Sequence, residues 1–169
     1  MIFDFFSAKP IINPKNQIIM NPTVELIFTI VGGALVLLTL YGAVTLNRKF
    51  FLSGICFFSI LPLIGESMAY STDKAPVHVL VIFIFLVQLV LTMPTSITYG
   101  ADNVAASKLT GKIALAILLI NIGGIVFIFY LKAPVAVQFG YYHVVIALAV
   151  LYVMFKRMTA TGGWVWAKS

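Results

Sequence analysis

Five apolar runs, separated by connections of a few polar residues, decide most of what this chain can become. A helix needs roughly 20 apolar residues to cross the hydrocarbon of a bilayer. The runs at 22–46, 50–70, 76–97, 112–131 and 135–155 all qualify. The connections "NRK", "STDKA", "YGADNVAASKLTG" and "KAP" are too short to let the chain wander, so consecutive helices must lie antiparallel and adjacent. Hydrophobic residues make up 62% of the chain and charged ones 9%, with a mean hydropathy of +1.08. Soluble domains are nearer half apolar and about a quarter charged. One aqueous core cannot hide so much apolar surface in 169 residues, so lipid is the expected solvent.

The expected fold is therefore an all-α integral membrane bundle of five transmembrane helices. Residues 1–21 form an N-terminal interfacial or extramembrane segment, 22–155 the five-helix domain, and 156–169 a basic, Trp-containing tail. Asn21 reads as an N-cap for the first helix, with Pro22 in its first turn and Glu25 favoured there by the helix dipole. Pro10 and Pro14 break any span in the first twenty residues. That stretch also lacks the basic start, apolar centre and small-residue cleavage site of a signal peptide.

Lys and Arg place the ends. Arg48, Lys49, Lys108, Lys112, Lys156, Arg157 and Lys168 fall on one side; Lys9, Lys15, Lys74 and Lys132 fall on the other. Seven against four, with both arginines on the richer side, predicts an N-terminus outside and a C-terminus in the cytoplasm, or in the matrix or stroma of an organelle. The expected location is a bacterial or archaeal cytoplasmic membrane or an organellar inner membrane. Trp164 and Trp166, just past the last run, read as interface anchors.

Several function classes drop out. The single cysteine, Cys56, excludes a disulfide framework, a CxxC redox pair and a cysteine zinc site. The net charge of +6 is flank charge on spans and forms no aromatic-laced basic patch, so nucleic acid is not an expected partner. No GxSxG, HExxH, Walker or glycine-rich nucleotide motif occurs, and no connection is long enough to build a soluble active site. An enzyme is not expected.

The informative residues are the few polar ones inside the runs. Cys56, Ser59, Pro62, Glu66 and Tyr70 recur every three or four positions and share one helix face, while Phe, Leu and Ile fill the opposite one. Glu66 thus faces protein, about 6 Å along the axis from Tyr70. Pro62 leaves the carbonyl of Phe58 without its usual donor nearby. On the third run His78, Val81, Phe85, Gln88, Thr92, Thr95 and Tyr99 form a stripe, and Pro94 should kink its end. Asn121 and Gly124 share a face of the fourth run; Gly140, His143 and Ala147 share one of the fifth. Thr29, Gly33, Val36 and Ala43 make a small-residue strip on the first.

By helical rise, His78 lies at the outer end, Glu66 about one turn in and His143 about two turns in. Gln88 and Asn121 then continue a polar line to mid-depth. Glu66, His143, His78, Gln88 and Asn121 are the candidate intramembrane site. Interhelical hydrogen bonding is the plain role for Gln88 and Asn121, and intramembrane acids and imidazoles suit ion or proton contact. No cofactor is expected. A haem on two facing imidazoles, or a metal held by His78, His143 and Glu66, has suitable donors but no attachment motif or diagnostic spacing.

Two functions fit. The first is a non-catalytic subunit of a larger membrane complex, whose partners are lipid and other subunits or further copies of the chain. The second is a small oligomeric transporter or channel for ions, protons or small solutes, using Glu66 and His143.

Overall fold

The computed structural model describes residues 22–96, 104–133 and 135–161, with side chains over 23–96, 109–133 and 135–156. These residues contain no strand. They form α1 (Pro22–Val44), α2 (Arg48–Asp73), α3 (Pro76–Thr92), α4 (Val104–Ile125) and α5 (Val137–Thr161). A π-helical turn, Val126–Tyr130, continues α4. Four segments are long and apolar enough to cross a membrane: Thr23–Val44, Arg48–Asp73, Leu109–Tyr130 and Val137–Lys156. The fifth helix, α3, is apolar but has 17 residues, about 25 Å of rise against a hydrocarbon core of about 30 Å.

Local chemistry sets the boundaries. The side chain of Asn47 accepts hydrogen bonds from the backbone N–H groups of Lys49 (3.0 Å) and Phe50 (3.3 Å), so α2 begins at Arg48, two residues before the expected start. It runs unbroken through Pro62 to Asp73, where Lys74 turns into the left-handed region (φ 59) and donates its N–H to the carbonyl of Tyr70. Ala75 and Pro76 then open α3. The expected third span reached 97, but α3 stops at Thr92. Met93 precedes Pro94 and is driven out of the helical region, to ψ 137. Pro94 therefore ends the helix instead of kinking it.

Neighbours in sequence pack as neighbours in space, α1 against α2, α2 against α3 and α4 against α5. α1 also packs on α5, and a thinner α3–α4 seam closes the ring. The α1–α2 approach is close because two glycines allow it. A Cβ on Gly42 would lie 2.2 Å from the backbone nitrogen of Phe51, and one on Gly54 2.3 Å from Thr39 Oγ1. The expected strip on α1 is partly at this contact, with Val36 and Ala43 buried, but its tightest point is Gly42.

The core is lopsided. Phe51, Leu52, Ile55 and Phe58 of α2 interlock with Ile113 and Ile117 of α4 and with Ile146, Val150 and Val153 of α5, toward the Arg48 end. Beyond Leu61, α2 has no buried residue, and α3 buries only Phe85, Gln88 and Thr92. The bundle is closed at the Arg48 end and loosens toward the Lys74 end.

Candidate functional site

Four side chains from four helices meet inside the bundle. Gln88, on the stripe of α3 that turns inward, donates through Nε2 to Ser59 Oγ at 2.9 Å. Ser59 in turn donates to the carbonyl of Ile55, one turn back in α2 (2.8 Å). Asn121 Nδ2 donates to the carbonyl of Ile117 at 2.8 Å and, at a long 3.4 Å, to Gln88 Oε1. That leaves Asn121 Oδ1 as the acceptor for His143 Nδ1 at 2.8 Å, which assigns the ring hydrogen to Nδ1. Thr92 Oγ1 donates to the Gln88 carbonyl, and the fully buried Thr92 closes the network on one side.

Aromatic rings and one glycine complete it. The His143 ring stands at 90° to Phe58, 5.9 Å between centroids, and is tilted over Phe85 at the same separation. On its remaining side the imidazole rests on α4 at Gly124, where an added Cβ would come within 2.8 Å of three ring atoms. Ser59, Gln88 and Asn121 are 0% exposed and His143 6%, so the hydrogen bonds of the network lie within the protein. Gln88, Asn121 and His143, expected on one polar line, are thus brought together, with Ser59 added.

Glu66 and His78 are elsewhere. The tight turn at Lys74 and Ala75 folds the first turn of α3 back along the last turns of α2. His78 Nδ1 then lies 2.5 Å from Glu66 Oε2, and its Nε2 lies 3.1 Å from Asp73 Oδ2. Asp73 Oδ1 also accepts from the backbone N–H of Ala75 at 2.8 Å, which fixes the carboxylate at the turn. Glu66 and His78 are mostly covered, at 13% and 12% side-chain exposure. Beside them a shallow groove of about 520 Å³ is lined by Tyr70, Lys74, Pro76, Val79, Leu80 and Phe83, with the Lys74 ammonium over the Tyr70 ring at 5.1 Å.

Glu66 and His143, expected to act together, therefore belong to separate clusters with separate partners. The two imidazoles are likewise apart in their bonding, His78 with two carboxylates and His143 with an amide. Among the described residues no group of three His, Cys, Asp or Glu side chains is disposed to hold a metal ion. The imidazole of His78 stands between its two carboxylates, so the three do not converge on one point. Trp164 and Trp166 lie outside the described residues.

Sequence reasoning overlooked a third polar contact. Gln138 Nε2 donates to Glu25 Oε1 (3.1 Å) and Thr29 Oγ1 (3.2 Å), and the Tyr142 hydroxyl donates to the Thr29 carbonyl (2.7 Å), joining α1 to α5. Gln138 and Tyr142 sit four apart on one face of α5, a spacing that would have revealed the pair. Arg48, expected as a flanking charge, is buried at 5% exposure.

These features define an all-helical protein with membrane-length apolar helices, a sealed polar network between helices and a second, ionisable cluster at one hairpin. No protein-family model, curated protein or solved structure matches the chain.

Proposed function

We propose that the chain is a non-catalytic subunit of a larger membrane protein complex, with the Lys74 end outside and the Arg48 end inside. The observation that carries this reading is the network of Ser59, Gln88, Asn121 and His143. Each of these side chains bonds to another, and phenylalanine rings flank the imidazole. A solute path needs polar groups with capacity left for the solute; here the side chains of Ser59, Gln88 and Asn121 and the Nδ1 of His143 are bonded between helices. Such bonds contribute about 0.6 kcal/mol each in a bilayer, enough together to fix how the helices meet. The exterior is apolar on every helix, with Leu37, Phe83, Leu119 and Leu148 among the residues offered to lipid or to a partner. The reading of Glu66 with His143 as a transport pair finds no such support, because the two have different partners.

The test is purification of the tagged protein in mild detergent, with measurement of its mass and identification of what stays bound. A stoichiometric assembly with other chains is the expected result. A homogeneous assembly of this chain alone would count against the proposal and direct attention to flux in proteoliposomes. Gln88→Leu strips Ser59 of its donor and Asn121 of its acceptor. It should loosen that assembly, while Glu66→Gln should leave it intact.

A further inference from the structure

We infer that Glu66, His78 and Asp73 form a proton-binding site that clamps the α2–α3 hairpin. Both ring nitrogens of His78 face carboxylate oxygens, at 2.5 Å to Glu66 and 3.1 Å to Asp73. A neutral imidazole carries one N–H, so its second nitrogen would present a lone pair to a carboxylate lone pair. Both contacts are hydrogen bonds only when the trio holds one further proton, which the greater basicity of imidazole than of a carboxylate places on the ring, as imidazolium. With that proton the ring bridges two turns of α2 from the first turn of α3, in charge-assisted bonds that are stronger than neutral ones. Without it, one contact becomes repulsive and the hairpin loses a strut.

Nothing else among the described residues supplies that charge balance. Glu66 and Asp73 of α2 are the charged groups acting on His78. α3 contains no other ionisable residue. Lys74 is turned to the Tyr70 ring. The only described charged side chain on α4, Lys112, lies near the opposite end, and Glu25 of α1 is held by Gln138. The site also lies where the bundle is loosest. No residue of α2 beyond Leu61, or of α3 before Phe85, is buried, so the clamp lies outside the buried core. Proton occupancy therefore sets how firmly the hairpin, and the groove between Tyr70 and Phe83, is held. This inference does not depend on the chain being a complex subunit.

The sign follows from proton linkage. The folded state binds a proton that the unfolded chain holds less tightly, so stability falls as pH rises through the range where the trio empties. The experiment uses the full chain in detergent micelles, labelled with ¹⁵N-histidine, together with thermal unfolding between about pH 6 and pH 9. At pH 6 the His78 ring should show two protonated nitrogens, and His143, identified by its persistence in His78→Gln, should show one. The midpoint of unfolding should fall by about 3–6 °C across the range in the native chain, and this fall should vanish in Glu66→Gln and His78→Gln. A singly protonated His78 ring throughout, in the native chain, would overturn the inference. So would a pH profile in His78→Gln that parallels the native one.

Discussion

Gly123 and Gly124 adjoin on α4, yet a methyl group has opposite consequences at the two positions. A Cβ at Gly123 meets nothing within 4 Å, whereas one at Gly124 lands 2.8 Å from the His143 ring. The ring cannot retreat, because Phe58 and Phe85 flank it and Asn121 holds Nδ1. Gly124→Ala should therefore cost about 1–3 kcal/mol, the usual range for overpacking. Gly123→Ala should be neutral or gain up to about 1 kcal/mol from helix propensity alone. Thermal unfolding of the two variants in one detergent compares them directly, and equal effects would mean that the imidazole does not rest on Gly124. The sequence offered "GG" without distinguishing its members. Helical phase placed Gly124 with Asn121, but only the arrival of His143 from α5 explains why that position must lack a side chain.

Among the elements, α3 owes its end to a single residue. Its apolar run continues past Thr92, and Pro94 alone forces Met93 into the extended conformation. Pro94→Ala restores an N–H and removes the clash, so α3 should lengthen by about one turn, or 5.4 Å. The check is a rise in far-ultraviolet helicity, with slower amide exchange at Met93 and Thr95. An unchanged spectrum would assign the stop to packing instead. The helix ends that depend on such local chemistry, Asn47 at α2 and Pro94 at α3, are legible in sequence once the cap and proline rules are applied strictly. The π turn at Val126–Tyr130 is not. It coincides with Phe129 lying on Gly140, where a Cβ would come within 2.6 Å of the ring, and with Phe129 against Tyr141 at 5.4 Å. Those contacts come from a different helix, so no local pattern in "VFIFY" announces the wider turn.

At the scale of the whole molecule, the alternation of short connections already imposes antiparallel neighbours, and hydropathy marks the helices. What periodicity cannot supply is azimuth. Helical rise gives each polar residue a depth, and by depth Glu66, His78 and His143 all belonged to one end; rotation of the helices about their axes then sent Glu66 to His78 and His143 to Asn121. Depth and alternation do make the sidedness of the chain testable. Lys49 and Lys74 are both exposed and lie at opposite ends of α2. The native Cys56 is buried, and Cys56→Ser leaves a background without thiols. Single cysteines at these two positions, treated in intact cells with a membrane-impermeant maleimide, should label at Lys74→Cys and not at Lys49→Cys. The excess of seven basic residues over four on the Arg48 side is the driving asymmetry. Arg48 weakens it by being buried in the helix packing instead of standing free at the boundary. Reversed labelling would mean that packing demands at Arg48 outweigh the loop charges, and would place the Glu66–His78–Asp73 trio on the inner side, where it would sense the pH of that compartment.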